Sequence, residues 1–220
     1  NHDEIWSYKN EHIYGNYAYK IHFGEATLSM GLQAGINLLG ADYSRLDLQH
    51  PDGDASFYNI VNEIKPNFGT GVFYHTKNYF LGFSVPFILN NEVASSVGEL
   101  IGGIKESRYY FLRGGAIFPI TRNNNVKFNP STLIRAQEGQ PLSFDLNAAV
   151  VFYDVFSLGT SYRLGDSFIT FIDLKLSEKI HFGYSYDLTS SDIRGFSNGT
   201  HEFMINFRSV IRKIHGNPEC

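Results

Sequence analysis

Residues 141–188 read PLSFDLNAAVVFYDVFSLGTSYRLGDSFITFIDLKLSEKIHFGYSYDL, and this stretch decides the fold class. Apolar and polar side chains alternate along it in four runs of about ten residues, a period that places one set on each face of a β-strand. Short turns at Tyr153-Asp154, 164–166 and Ser177-Glu178 join the runs. Alternating runs that are joined by such turns predict an antiparallel meander.

The length of these runs favours a sheet that crosses a membrane. Strands of soluble proteins usually have about five to six residues, whereas strands that cross an outer membrane need about 9–11. The chain contains 19 Phe and 14 Tyr. Many of these rings share one face of a run while polar residues share the other, which is typical of a transmembrane barrel. The same alternation predicts further strands over 13–23, 27–38, 68–75, 79–89, 108–120, 125–136 and 201–207.

The connections between the predicted strands are alternately short and long, as in barrels with short periplasmic turns and longer external loops. The short turns lie at Gly24, Thr76, Thr121, Tyr153 and Ser177, and the longer connections span 40–67, 91–107, 137–140, 164–166 and 189–200. A short helix is predicted over 99–104, and residues 1–12 are interpreted as a loop. External loops of this length are candidates for recognition of a partner.

We therefore predict an all-β fold, an antiparallel transmembrane β-barrel with about 11 strands in residues 1–208. Bacterial barrels have even strand counts, so we expect strands upstream of Asn1 and about 14 strands in the full-length protein. Residues 1–208 would then be the carboxy-terminal portion of the barrel, with the basic tail 209–220 outside it. The alternative is a soluble barrel or sandwich, which would leave the alternation of short and long connections unexplained.

Composition excludes several classes of protein. The net charge of −4 gives no reason to expect nucleic-acid binding. The chain has no run of 18 apolar residues, as a membrane-spanning helix would need. Cys220 is the only cysteine, so there is no internal disulfide.

The sequence contains no recognisable catalytic or metal site. The eight histidines are scattered without a pair at metal-ligand spacing, and the acidic residues of 40–67 do not match a calcium loop. No local motif joins a nucleophile to a base, with Ser161, Ser185, His181 and His201 as the available side chains. We predict a protein that is not an enzyme and has no cofactor and no metal.

Ionisable residues at predicted inward positions form the one candidate site. Charged groups at membrane depth are costly unless they are paired or hydrated. Our hypothesis is that Arg163, together with Arg208, pairs with acidic side chains and braces the lumen. The residues of this lumen network are Asp145, Arg163, Asp187, Glu202 and Arg208. A structural brace is favoured over a path for substrate.

Short blocks of sequence recur in a characteristic order through almost the whole chain. They are NYAYKI (16–21), LSMGLQAGINLLGADYS (28–44), PNFGTGVFYHTKNYFLGFSVP (66–86), RYYFLRGGAIF (108–118), NPSTLIR (129–135), PLSFDLNA (141–148), LGTSYRLGD (158–166) and HFGYSYDLTSSDIRGFSNGTHEFM (181–204). The last two are the most specific. In this order the blocks resemble the PorP/SprF family, outer-membrane proteins of the Bacteroidetes type IX secretion and gliding systems.

The resemblance implies a non-enzymatic barrel in the bacterial outer membrane, in contact with its lipids. It implies an adaptor or anchor for the secretion and surface attachment of a partner adhesin, bound directly or through its carboxy-terminal domain. Other type IX secretion and gliding subunits are further expected partners, and nucleic acid is not. The family's amino-terminal third is absent here, and the basic tail extends beyond the family's usual end. The alternative function is an outer-membrane diffusion channel for small solutes, which would need an open lumen.

Overall fold

A computed structural model describes residues 2–5, 8–42, 60–90, 92–93, 104–105, 107–190 and 199–208. The regular secondary structure of these residues consists of β-strands. The described part of the chain contains no helix with the length and apolarity needed to cross a membrane. The predicted all-β class is confirmed.

The described residues form strands from one end of the chain to the other. The strands are β1 His2–Ile5, β2 Tyr8–Phe23, β3 Ala26–Asp42, β4 Ile60–His75, β5 Tyr79–Val85, β6 Glu92–Val93, β7 Ile104–Lys105, β8 Tyr109–Ala116, β9 Phe118–Pro119, β10 Val126–Gln137, β11 Ser143–Phe152, β12 Phe156–Arg163, β13 Ser167–Lys175, β14 Ile180–Thr189 and β15 Thr200–Phe207.

Twelve of the described strands follow a single path of hydrogen-bonded neighbours. The order is β1-β2-β3-β4-β5-β8-β10-β11-β12-β13-β14-β15, with β9 paired to β10 beside the path. The strands are antiparallel. β6 and β7 form a small separate sheet. Neighbours in sequence are therefore neighbours in the sheet, as the predicted meander requires.

The chain divides into two compact units, residues 1–114 with 133–143 and residues 115–132 with 144–220. In the first unit, β2, β3 and β4 have 16, 17 and 16 residues. They pair along almost their full length, from Tyr8 opposite Ala41 to Phe23 opposite Ala26. In the second unit, β11 to β15 have 8 to 10 residues each.

Each of the eleven predicted strands has a counterpart, and the described residues add β1 as well as the short β6 and β7 within the connection predicted over 91–107. The prediction of a loop over residues 1–12 was wrong, because β1 pairs there with β2, which begins at Tyr8. The loop predicted over 40–67 is shorter, because β3 and β4 pair up to Asp42 opposite Ile60. These segments have no clean period of two, so pairing with a neighbouring strand decides their conformation. Of the helix predicted over 99–104, Ile104 instead lies in β7 and the rest lies outside the described residues.

Exposed and buried side chains have the reverse of the polarity found in soluble domains. Among the described residues, Val85 is the single hydrophobic side chain that is buried. The other buried side chains are polar or charged, and they include Asn37, Asn67 and Asp145. Many of the large exposed apolar side chains share the opposite face, which we call the apolar face; they include Ile13, Tyr17, Tyr19, Leu32, Ile64, Phe68, Leu81, Leu146, Leu158, Tyr162, Phe203, Ile205 and Phe207. Soluble monomers rarely expose so large an apolar patch.

Strand register defines the other face, which we call the polar face, in each unit. In the first unit a row of small residues crosses four strands, because Gly31 is opposite Ala18 and Gly71, and Gly71 is opposite Ser84. In the second unit the row with Asp145 contains Arg163, Ser167 and Thr189. Small and polar side chains thus line this face.

Aromatic rings on the polar face pack over glycines of the neighbouring strand. In the second unit Phe171 is opposite Gly159, and a Cβ atom on Gly159 would lie 2.4 Å from Cζ of that ring. In the first unit Phe73 is opposite Gly82, and a Cβ atom on Gly82 would lie 2.8 Å from Cδ2 of the Phe73 ring. Glycine leaves room for each ring to lie close to the sheet, so rings fill part of this face.

Candidate functional site on the polar face

The second unit holds an arginine between two carboxylates. Arg163 at the end of β12 is opposite Asp145 in β11, and its Nε donates to Asp145 Oδ1 at 3.1 Å. Its Nη1 donates to Asp166 Oδ2 at 3.2 Å, across the turn that follows β12. Asp145 is 6% exposed. A carboxylate buried to this degree depends on its partner, because an unpaired buried charge is costly.

The other residues of the predicted lumen network lie on the same face but contact different partners. Asp187 Oδ2 accepts a hydrogen bond from Ser167 Oγ at 3.3 Å, and Glu202 Oε2 accepts one from Ser185 Oγ at 3.2 Å. Arg208 follows β15, where its backbone N donates to Lys179 O at 2.7 Å. Within the described residues the geometry joins Arg163 to Asp145 and leaves Asp187, Glu202 and Arg208 outside that cluster. The role of the five residues as a brace stays a prediction.

In the first unit, the segment after β5 folds over the polar face. We call residues 86–90 the strap. Asn67 in β4 holds it through both groups of its side-chain amide: Nδ2 donates to Leu89 O at 3.0 Å, and Oδ1 accepts from Leu89 N at 3.1 Å. The backbone of the strap also donates from Ile88 N to Phe68 O at 2.8 Å. Asn67, at 0% exposure, is therefore sealed beneath the strap.

Further side chains fix both ends of the strap. Gln33 Nε2 donates to Pro86 O at 3.1 Å, and Arg108 Nε donates to Ile88 O at 3.0 Å. Asn90 Nδ2 donates to Glu138 Oε2 at 3.2 Å. Pro86 lies so close to β4 that a Cβ atom on Gly69 would be 2.4 Å from its carbonyl oxygen. The strap therefore packs directly against the backbone of the sheet.

An aromatic contact completes the attachment of the strap. The Phe87 ring lies 6.1 Å from the His12 ring and 5.7 Å from the Tyr14 ring, measured between centroids. His12 Nδ1 is 2.8 Å from Asn37 Oδ1, and the Tyr14 hydroxyl donates to the same oxygen. Asn37 is 0% exposed. Two buried asparagines, Asn37 and Asn67, thus support the strap from adjacent strands.

The sequence did not predict the strap, because the alternation was extended through residue 89. The strand ends at Val85, and that part of the prediction was wrong. Pro86 indicated a bulge or the edge of the strand, since proline cannot donate to a strand ladder, but it did not indicate where the chain goes next. The inward asparagines Asn37 and Asn67 were a second signal, because a buried amide needs partners on both its groups.

No cluster suited to a metal ion occurs in the described ranges: at no point do three or more His, Cys, Asp or Glu side chains converge. The described residues of the polar face therefore offer hydrogen bonds, arginine–carboxylate pairs and stacked rings. These groups can hold segments of chain or a small polar ligand in place.

The model of the type IX secretion system membrane protein PorP/SprF matches residues 1–207. The chain belongs to the PorP/SprF family. No curated protein matches it. This PorP/SprF chain is a membrane protein of the type IX secretion system, so the resemblance carried by the sequence blocks is confirmed. The antiparallel meander with an apolar face agrees with the barrel fold of PorP/SprF proteins.

Proposed function

We propose that this PorP/SprF protein lies in the bacterial outer membrane as a non-enzymatic adaptor or anchor. Its partner would be a secreted adhesin, which it helps to secrete and to attach to the cell surface in the type IX secretion and gliding machinery. The connections that follow β3, β5 and β14, which the sequence predicted over 40–67, 91–107 and 189–200, would carry the recognition. Placement in the outer membrane is supported by strands that alternate between an apolar and a polar face.

The strap favours an adaptor over a diffusion channel. A channel needs a continuous wet path along its polar face. Here the strap covers part of that face in the first unit, and Asn37 and Asn67 beneath it are inaccessible to solvent. Rings such as Phe73 occupy further space on the same face. A polar face that is covered in part is compatible with a protein that presents loops rather than conducts solutes.

Two of the four side chains considered for catalysis, Ser185 and His201, have other partners. Ser185 Oγ donates to Glu202, and His201 Nδ1 is 2.8 Å from the Tyr184 hydroxyl oxygen. The His201 ring also lies against Tyr186, with centroids 4.6 Å apart. A nucleophile and its base would have to contact each other, and these residues do not form such a pair. This supports a non-enzymatic role.

A pull-down from native outer membranes tests the proposal. The tagged protein is extracted in mild detergent, and co-purifying proteins are identified and quantified by mass spectrometry. We expect stoichiometric recovery of a large surface adhesin or of secretion-machine subunits. A control barrel from the same membrane with the same tag removes non-specific partners.

A loop exchange localises the interaction. Residues 43–59 are replaced by a Gly/Ser linker of equal length, while protection of the strap amides reports that the sheet is intact. Loss of the partner with an intact sheet would support recognition by this connection. Recovery of the barrel alone from wild-type membranes would contradict the adaptor proposal, and single-channel conductance would then test the channel.

A further inference from the structure

A cavity of about 420 Å³ lies on the polar face of the first unit. Its walls include the rings of Phe73 and Phe111 and the side chain of Leu133, and two serines, Ser29 and Ser84, contribute hydroxyl groups. The small residues that face one another across β2 to β5 form its floor. Mostly apolar walls with a few convergent polar groups, and a volume within about 300–1,000 Å³, are typical of ligand sites.

Arg113 gives this cavity a positive charge. It lines the cavity, and its guanidinium carbon lies 5.4 Å from the centroid of the Phe80 ring. Such a cation–π contact orients the guanidinium group but leaves its charge in place. None of the ion pairs found among the described residues includes Arg113.

The described side chains around Arg113 add no negative charge. Lys20 shares its face, because Lys20 is opposite Ser29, which lines the cavity. No Asp or Glu among the described side chains of β2 to β5 and β8 stands on the polar face, since Glu11 is opposite Leu38 on the apolar face. The cavity therefore complements an anion.

We propose that this cavity binds a small organic anion, namely a carboxylate with an apolar body. Arg113 would hold the carboxylate through two parallel hydrogen bonds, the geometry that a planar guanidinium group favours. The apolar body would lie between Phe73, Phe111 and Leu133, with the serine hydroxyls as further donors. This site is separate from the strap and from recognition of an adhesin, so its test does not depend on the proposed function.

The test compares two fluorinated probes of similar size and opposite charge. The full chain is purified in an uncharged maltoside detergent, and the ¹⁹F NMR signals of 4-fluorophenylacetate and 4-fluorobenzylamine are titrated, with empty micelles as the blank. We expect saturable binding of the carboxylate and none of the amine. Arg113→Gln is expected to weaken carboxylate binding by at least about tenfold, because a hydrogen bond to a charged group is lost.

Three further variants separate charge from folding. Arg113→Lys keeps the charge and should retain part of the affinity, whereas Ser84→Phe keeps the charge, fills the cavity and should abolish binding. Arg122→Gln removes an arginine from the turn before β10 and should leave binding unchanged. Equal binding of both probes, the same affinity in Arg113→Gln and wild type, or no saturable carboxylate binding at millimolar concentration would overturn the proposal.

Discussion

Replacement of Asn67 by alanine should loosen the strap while the sheet stays folded. The substitution removes the side-chain acceptor of Leu89 N and the side-chain donor to Leu89 O. It also removes the acceptor of Phe68 N, at 2.9 Å. The strap keeps its bonds to Gln33 and Arg108, so local opening rather than detachment is expected.

The size of the effect follows from the two strap groups that lose a partner. A buried polar group without a hydrogen bond costs about 1–3 kcal/mol, so the two groups of Leu89 together cost about 2–6 kcal/mol. Leu89 is 39% exposed, and water can replace part of the lost bonding. We therefore expect the lower end, about 2 kcal/mol, which corresponds to roughly 30-fold faster amide exchange.

Hydrogen exchange of the Ile88 and Leu89 amides in detergent micelles measures this opening. Asn16→Ala is the matched control, because Asn16 lies on the polar face of β2 and takes part in none of the hydrogen bonds described for the strap, and it should leave the exchange unchanged. Single-channel recording is the second measurement, and the loosened strap should raise ion conductance. A change in Leu89 exchange below about threefold, which corresponds to ~0.6 kcal/mol, would refute the assigned role of Asn67.

Three further perturbations test the packing and the ion pairs. Arg163→Met should lower the free energy of unfolding by about 1.5–3 kcal/mol, because the buried Asp145 loses the charge-assisted hydrogen bond from Arg163 Nε at 3.1 Å; urea titration measures this. Gly159→Ala should destabilise by about 1–3 kcal/mol in the same titration, because the new methyl group would meet a ring carbon at 2.4 Å and a backbone oxygen at 2.8 Å. The hydrogen bond and the charge of Lys77 lower the pKa of Glu25 in the turn after β2. Stability from this pair is therefore present above the ordinary Glu pKa and lost as the pH falls through the lowered value, and Lys77→Gln should raise the pKa in an NMR titration.

Each of these predictions has a control within the chain. Lys175→Gln breaks an ion pair with the exposed Glu178 and should cost less than about 1 kcal/mol, in contrast to Arg163→Met. Gly15→Ala places a methyl group 3.9 Å from its nearest neighbour and should be tolerated. Lys179→Gln should leave the Glu25 pKa unchanged. If a substitution and its control had equal effects, the role assigned to the corresponding contact would be wrong.

The strand pattern was predictable because it depends on local sequence. Tyr153 and Asp154, interpreted as a tight turn, both have a φ of 54°. That conformation is the one that two-residue hairpin turns need. A short turn fixes the register of its two strands, and for this reason the alternation alone places Arg163 on the same face as Asp145. Asp166 was not predicted as a partner of Arg163. The alternation assigns each strand residue to a face, but it does not predict which way the Arg163 side chain turns or that it reaches a residue in the following turn.

The sequence by itself determined the all-β class, the positions of eleven strands and the division into an apolar and a polar face. The alternation of apolar and polar residues is a local property of each strand, so it predicts two faces whatever the arrangement of the strands. Only the tertiary structure decided the strap and the cavity beside Arg113. The bonds that hold the strap join Asn67 to Leu89, 22 residues away, and Gln33 to Pro86, 53 residues away. Contacts at that separation depend on which strands pair in the sheet and in what register. A local pattern of apolar and polar residues does not determine this.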